Sequence, residues 1–398
     1  MMRRTFLAAL GLGGVHATVP TTAEVDGTIR QNLADRPLSR ADGSFYLPST
    51  PETISWGHLP NAASTPVLTV PSGAMVTIDT LSHEGLLEDQ GKDPLTFFGS
   101  HGIAREQILE EASAIARLPH DFERDGPHVV TGPIAIDGAR PGDWLRIETV
   151  SLVSRVPYGV ISNRHGKGAL PGEYPTHPAA PHPTPAHPET YGNVSVLARA
   201  VAGQGEIATA RGPIRFPLAP FVGLLGVAPN TTDVVNSIPP GPHGGNLDVR
   251  LLGPGSALYL PVQMPGALFY AGDPHFAQGN GEVALTAFEA SLRATLRLTI
   301  ERDSATIRAL FGSRLPFAET EQDWIAIGLD PDLNLAMQQA VRAAIDFLVK
   351  RTGAAPHEVY AYLSAAASFE VSQVVDRTKG IHGVIRKADF AALLAQQE

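Results

Sequence analysis

Side chains that can bind a divalent metal or a polar substrate are concentrated in one stretch of the chain, residues 241–289. They are His243, Asn246, Asp248, Asp273, His275, Gln278 and Glu282. A divalent ion held by imidazole and carboxylate groups needs three or four such groups to converge, with one position left for water. Each residue alone is most simply a loop residue, but the cluster as a whole predicts a metal site.

Short strands and glycine-rich turns must position these side chains. Residues 256–263 have the alternation and the residue types of a strand, and a Pro-Gly pair ends it. A second apolar run, residues 267–271, precedes Asp273 and His275, which would share one face of an extended segment. Glu282 follows a flexible glycine turn and can return to the same place. We therefore expect the ligands to meet at the rim of a β framework.

Three segments carry longer motifs. Residues 244–289 contain GGNLD, PVQMPGAL and GDPHFAQGNGE, residues 126–147 read GPHVVTGPIAIDGARPGDWLRI, and residues 363–385 read LSAAASFEVSQVVDRTKGIHGVI. These segments resemble the acetamidase/formamidase family, whose members carry GGN-x-D, PV-x-x-PGAL and GD-x-H-x-x-QG-x-GE. The similarity runs in order over roughly residues 77–390, so it is far more specific than a lone glycine motif.

The resemblance implies hydrolysis of short linear amides, such as formamide or acetamide, to a carboxylate and ammonia. It also implies a divalent metal, for which we expect zinc, with a second ion such as calcium left open. His128 matches the family's histidine before TGP, as a metal or substrate ligand. His83 stands where the family usually has Asp or His after its first strand pair, although a plain loop histidine is the simpler alternative. Arg164 and Lys167 lie where the family has a glycine-rich loop that lines the site, and either could help to exclude bulky amides or simply shape a turn.

On this basis, the predicted metal ligands are Asp273, His275, His128 and His83. The predicted substrate-binding residues are Asn246, Gln278, His243 and Arg164. The metal would lower the pKa of a bound water, and the resulting hydroxide would attack the amide carbonyl. Glu282 or Asp248 would take the proton of the water and return it to the departing amine. The sequence leaves open which of the two carboxylates transfers the proton, and Glu282 is also a possible fourth metal ligand.

The composition excludes several other chemistries. A net charge of −10 argues against nucleic acid or an anionic membrane surface as a partner. The chain has no cysteine, which removes every cysteine-nucleophile amidase mechanism and every thiolate metal site. It also has no Gly-x-Ser-x-Gly elbow, no HExxH, and no GxGxxG that opens a helix after a strand.

The patterning predicts a mainly β protein, a sandwich or barrel-like mixed β core, with a smaller α+β C-terminal portion. Residues 292–300 alternate strictly between apolar and polar, as in an antiparallel sheet with one solvated side. Helical spacing over residues 333–348 precedes Gly353 as a stop signal. We expect a β-rich catalytic core over residues 26–320 and a helical or α+β region over residues 321–398 that packs on it.

The N-terminus, residues 1–25, is typical of an export signal. Arg3 and Arg4 precede Phe6 and a short apolar run, which suggests the twin-arginine route to the periplasm. The apolar run is too short for a permanent transmembrane helix, and no later stretch predicts stable membrane insertion. The family comparison and the C-terminal helices suggest a homodimer.

Two features leave alternatives open. A proline- and histidine-rich insertion at residues 169–190 is most simply a solvated loop, and we assign it no catalytic role. A β-sandwich with loop ligands can also be an exported binding module, for a carbohydrate or another metal-dependent ligand, with a structural ion and no turnover. Such modules usually carry aromatic platforms, but this chain has only three Trp, widely scattered.

Overall fold

The structure is a computed structural model that describes residues 38–39, 43–180 and 192–395. The predicted export signal at residues 1–25 and the second half of the proline- and histidine-rich insertion lie outside the described residues. The first half of the insertion, up to residue 180, forms turns and coil without strand pairing, as its prolines predict.

The described residues form 23 strands. In the first half of the chain these are β1 (Leu38–Ser39), β2 (Phe45–Leu47), β3 (Ile54–Trp56), β4 (His58–Leu59), β5 (Leu68–Val70), β6 (Ala74–Asp79), β7 (Val129–Ile136), β8 (Trp144–Ser154), β9 (Tyr158–Arg164) and β10 (Asn193–Val201). The second half provides β11 (Gln204–Ile207), β12 (Ile214–Pro217), β13 (Phe221–Val227), β14 (Val235–Asn236), β15 (Gly244–Asn246), β16 (Ala257–Pro261), β17 (Phe269–Ala277), β18 (Phe288–Glu289), β19 (Leu292–Glu301), β20 (Phe317–Glu319), β21 (Asp323–Asp330), β22 (Ser368–Gln373) and β23 (Lys379–Arg386).

Six α-helices accompany the strands in the same part of the chain: α1 (Pro94–Ser100), α2 (Glu110–Ala116), α3 (Ala305–Ala309), α4 (Leu333–Thr352), α5 (Pro356–Ala366) and α6 (Ala391–Leu394). The side chain of Asp332 caps the N-terminus of α4 by accepting hydrogen bonds from two backbone N–H groups. Gly353 ends the same helix in the left-handed conformation, with φ of 75°, as its position in the sequence predicts.

Two large sheets pack face to face. The first has the order β1-β2-β6-β19-β8-β16-β20-β21-β23-β22, and the second runs β12-β11-β10-β9-β18-β17-β13-β15, with β7 joining β17 to β3 and β5. Most pairs are antiparallel. The main apolar core lies between the sheets, with Ile78 and Leu296 from the first and Ile134, Leu225 and Phe269 from the second. The predicted mainly β sandwich is therefore confirmed.

The C-terminal helices form a third layer on the outer face of the first sheet. Consecutive residues of β21 show how the strand serves both layers: Trp324 and Ala326 pack with Phe347 of α4, whereas Ile325 and Ile327 point into the core between the sheets. Strand β19 has the predicted alternation, with buried leucines and half-buried or exposed polar residues. None of the helices in the described ranges is long and apolar enough to cross a membrane.

Candidate active site

The cluster of polar side chains lies where strand β17 changes its neighbour. Up to Gly272, β17 pairs with β7, and from His275 it pairs with β18. Asp273 falls between the two and has a left-handed backbone with φ of 53°, which is uncommon for a residue other than glycine. The sequence predicted a plain extended segment here. The irregularity opens the sheet beside Asp273 and leaves room for side chains from other segments.

Two histidines approach Asp273 from the neighbouring elements. His128 directly precedes β7, and its Nε2 lies 3.7 Å from Asp273 Oδ1. His83 follows the end of β6, and its Nδ1 lies 3.7 Å from the same oxygen. The Nδ1 atom of His128 lies 2.9 Å from Ser237 Oγ, which holds the ring with Nε2 towards Asp273. Both predicted histidine ligands therefore meet the predicted carboxylate.

His275 completes the floor of the cluster. Its Nε2 lies 2.9 Å from Asp273 Oδ2 and 3.0 Å from Glu289 Oε1. Glu289 was not identified by the sequence analysis, although it pairs directly opposite His275 in β18. A lone carboxylate within the otherwise apolar run AFEA was the signal that could have found it.

A second group consists of carboxylates alone. Asp248, Glu282 and Asp376 each offer an oxygen within 4.8 Å of the others, and all three are buried. Asp248 and Glu282 have left-handed backbones, with φ of 50° and 48°. Asp376 comes from the C-terminal segment and is not among the predicted site residues. Glu282 belongs to both groups, because it also meets His275 and Glu289.

Gly223 of β13 makes the close approach of these groups possible. A Cβ atom at this position would lie 2.7 Å from Asp273 Oδ2 and 2.8 Å from His275 Cε1, and closer still to Asp248 Oδ1. Such distances are shorter than van der Waals contact, so only glycine leaves space for the cluster here.

A cavity of about 380 Å³ lies against this cluster. His83, His128, Asp273, Glu282, Glu289 and Asp376 line it together with Asn246 and Arg164. Asp248 and His275 are fully buried and do not line the cavity. The cluster thus has one set of side chains that can touch a small molecule and a second set behind it.

The carboxyl groups of the cluster have abnormal pKa values. Burial, and then the charges of nearby carboxylates, raise the pKa of Asp248 and of Glu282 well above the usual range. Burial and the charge of Asp273 raise the pKa of Glu289 to about 7. Burial also raises the pKa of Asp376 to about 7. The crowding of these groups disfavours their negative charges.

Asp273 and the histidines respond differently. Burial alone would raise the pKa of Asp273, but His275 and His128 hold it below its usual range. Burial lowers the pKa of His128 to about 4, so its imidazole is neutral at neutral pH, as metal binding requires. For His275, the charges of Asp273 and Glu289 outweigh burial and raise the pKa well above the usual value.

A polar network supports the site from behind. The Nε2 atom of His83 lies 3.4 Å from Glu84 Oε1, and Ser162 Oγ donates a 2.6 Å hydrogen bond to the same oxygen. Burial alone would raise the pKa of Glu84, but His83 and Arg164 lower it to about 2. Arg164, predicted to bind substrate, forms a two-pronged ion pair with Asp89 and still lines the cavity.

Two predicted substrate-binding residues do not line the cavity. Gln278 donates hydrogen bonds from Nε2 to the backbone carbonyls of Asp248 and Ser372, at 2.9 and 3.2 Å. The ring of His243 lies against Gly241 and Gly245, away from the cavity lining. Gln278 therefore connects the loops that carry the carboxylates, and neither side chain is in place to touch a molecule in the cavity.

The donor atoms fit divalent cations. Asp273 Oδ1, His83 Nδ1 and both oxygens of Asp248 are buried and have no hydrogen-bond partner among the described residues. Such atoms are costly unless a ligand satisfies them. One set, His83, His128 and Asp273, offers the imidazole and carboxylate donors that are typical of zinc sites. The other set, Asp248, Glu282 and Asp376, offers only oxygen donors, which calcium and magnesium prefer.

The fold and the cluster together define a β-sandwich protein built around a buried imidazole–carboxylate centre. Residues 231–385 match the model of the Acetamidase/Formamidase family. The chain is 29% identical over 222 residues to a candidate formamidase of Schizosaccharomyces pombe (46% of this chain, 54% of the relative). It is 28% identical over 200 residues to the acetamidase of Mycolicibacterium smegmatis (39% and 49%).

The crystal structure of an acetamidase from Bacillus halodurans superimposes with a TM-score of 0.66 at 26% identity, over 87% of this chain and 99% of that one. The chain is therefore similar to the acetamidase/formamidase family, in sequence over residues 231–385 of the family model and in fold to an acetamidase of that name. The chain spans about half the length of the two curated relatives, 54% and 49%.

Proposed function

We propose that this protein hydrolyses short linear amides to a carboxylate and ammonia with the help of a divalent metal. The observation that carries the proposal is the cavity whose wall combines His83, His128 and Asp273 with the carboxylates of Glu282 and Glu289. The names of the relatives, acetamidase and formamidase, agree with this chemistry.

A divalent ion fits the residues that face the cavity. His83, His128 and Asp273 would hold it, with His275 beside Asp273, and zinc is the metal that this donor set favours. Such an ion, when bound, supplies a lowered pKa for a water molecule and polarises a carbonyl group. A second ion such as calcium would be held by oxygen atoms of Asp248 and Asp376, with Glu282 beside them left free of metal.

The side chains of the chain itself would move the proton and position the amide. Glu282 lines the cavity and Asp248 does not, so we assign to Glu282 the transfer of a proton from water to the departing amine. The raised pKa of Glu282, caused by burial and by Asp376, suits a group that takes up a proton. Asn246 lines the cavity, and its Oδ1 atom has no partner within the described ranges, so it can accept a hydrogen bond from the amide N–H₂.

Release of ammonia from formamide and acetamide tests the proposal. Removal of metal with a chelator should abolish release, and addition of zinc should restore it. His128→Ala should lose both metal and activity, whereas His177→Ala, which changes an exposed histidine of the proline-rich insertion, should keep both. Fully metallated protein that turns over no short amide would contradict the proposal. The comparisons lend no support to the alternative of a binding module without turnover.

Export to the periplasm and assembly as a homodimer are also proposals. The first depends on the twin-arginine pattern at residues 1–25, and the second on the family resemblance and the C-terminal helices. Sequencing the N-terminus of the mature protein tests the first, and light scattering tests the second.

A further inference from the structure

The cavity is larger than its proposed chemistry requires. Pockets of about 300–1,000 Å³ bury most of a drug-sized ligand, and this one has a volume of about 380 Å³. One water molecule takes up only about 30 Å³, and acetamide carries nothing more than a methyl group on its carbonyl. Much of the volume would therefore stay unfilled with acetamide bound.

The walls beyond the polar cluster are apolar. They include the side chains of Leu87, Phe122, Pro127, Pro171, Ile238, Leu285, Val374 and Val375. Burial of an apolar group against such walls is favourable, at about 25 cal/mol per Å². A substrate with a longer carbon chain on the acyl side would use this surface, and acetamide would not.

Three positive side chains line the same cavity. Arg164, Lys167 and Arg377 are close enough that the charges of both arginines lower the pKa of Lys167, after burial. Arg164 is neutralised by Asp89, but Lys167 and Arg377 form no salt bridge within the described part of the chain. The cavity wall covers part of Lys167, but both Lys167 and Arg377 remain open to solvent, so they lie at the rim, whereas the acidic cluster is buried.

Like charges held together at the edge of a cavity favour an anionic ligand. We propose that the preferred substrate is an amide with an apolar chain that ends in a carboxylate, which Lys167 and Arg377 bind at the rim. This inference rests on the proposed hydrolysis. The reaction joins the amide of such a monoamide with one water and gives a dicarboxylate and ammonium, with the C–N bond broken and a C–O bond formed.

Three amides test the proposal: acetamide, hexanamide and adipamate, the monoamide of adipic acid. We expect kcat/KM to rise from acetamide to hexanamide, and to rise by about a further tenfold for adipamate at low salt. In Lys167→Gln and Arg377→Gln the ratio of adipamate to hexanamide should fall several-fold. Arg211→Gln removes an exposed arginine that does not line the cavity and should keep the ratio.

The result separates this inference from the proposed hydrolysis. If all three amides are hydrolysed without preference for adipamate, only the substrate class is wrong. Calorimetry with adipate and hexanoate measures the same preference without turnover, so it applies even to a protein that hydrolyses no amide. Equal affinity for the two acids, or an adipate affinity unchanged in Lys167→Gln and in Arg377→Gln, would overturn the anion site.

Discussion

Neighbouring carboxyl groups in this protein have pKa values that are shifted in opposite directions. Asp273 is held ionised by His275 and His128, while Glu282 is driven towards its protonated form by burial and by Asp376. Two carboxyl groups with pKa values pushed apart are the usual basis for dividing charge stabilisation from proton transfer. Glu282 is therefore the residue on which the proposed proton transfer is most directly tested.

Glu282→Gln keeps the size of the side chain and removes its basicity. We expect ammonia release to fall by about 10²–10⁴-fold, the usual contribution of general acid–base catalysis, with the zinc content per chain unchanged. Elemental analysis and steady-state kinetics measure the two quantities. Glu321→Gln, an exposed and distant change, is the matched control. Near-normal turnover in Glu282→Gln would show that another group moves the proton, and loss of zinc would show a ligand.

Gly223→Ala tests the steric requirement of the cluster. The added methyl would overlap Asp248, Asp273 and His275, and overpacking of this kind costs roughly 1–3 kcal/mol. We expect lower metal content, lower activity and a reduced free energy of unfolding in urea. Gly99→Ala in helix α1, where a Cβ meets open space, should be neutral or slightly stabilising. An unchanged metal content in Gly223→Ala would contradict this account.

At the scale of elements, the site depends on the change of neighbour along β17. The pairing of β17 with β7 ends at Gly272, and its pairing with β18 begins at His275. The residue just before β7 and the last residue of β18 therefore face the gap between the two pairings. His128 and Glu289 are those residues. The loop that carries Glu282 is fixed in turn by β22, because the N–H of Gly281 donates a 3.0 Å hydrogen bond to the carbonyl of Ser372.

Gln278→Met tests whether Gln278 holds these loops or touches substrate. The change leaves the carbonyls of Asp248 and Ser372 without their side-chain donor, and small displacements at a reacting centre cost up to about 10²-fold in rate. We expect kcat for acetamide to fall by about tenfold with KM nearly unchanged. A rise in KM alone would instead favour the substrate-binding role that the sequence suggested.

The helices and strands could be predicted from the sequence more completely than the geometry of the site. Periodicity was sufficient for β19 and α4, because each buries one face against a layer. It also identified Asp273, His275, His128 and His83, partly through the family resemblance. It missed Glu289 and Asp376, because their closeness to the cluster depends on the register of β18 on β17 and on the position of the turn after β22. It could not foresee the left-handed backbone at Asp273, which depends on the tertiary contacts around β17.

At the scale of the whole molecule, one ion-pair group joins three strands of the first sheet. Asp79 of β6 lies opposite Arg293 of β19, which donates to both of its oxygens at 2.6 and 2.9 Å, and Tyr46 of β2 donates a further hydrogen bond. Burial alone would raise the pKa of Asp79, but Arg155 and Arg293 hold it below its usual range. The group stabilises the strand that leads to His83.

Asp79→Asn should lower the free energy of unfolding by about 2–3 kcal/mol at pH 7, because half-buried Arg293 loses its carboxylate partner, whereas Arg155 keeps Glu111. The pKa of Asp79 is lower in the folded state than in the unfolded state. Its contribution is therefore complete above the unfolded value of about 4 and is lost as the pH falls towards the folded value. Urea unfolding of both proteins from pH 7 to pH 3 should show a difference that shrinks below about pH 4. A difference independent of pH would contradict this role.

Asp376 and Gln373, the bridge partner of Gly281, lie late in the described chain, more than ninety residues after Gly281. A nascent polypeptide still lacking this segment has the histidines and Asp273 but neither the third carboxylate nor the partner that anchors the Glu282 loop. The cluster is therefore complete only once residues 373–376 have been synthesised, and a chain that stops before them lacks both Asp376 and the anchor of the Glu282 loop.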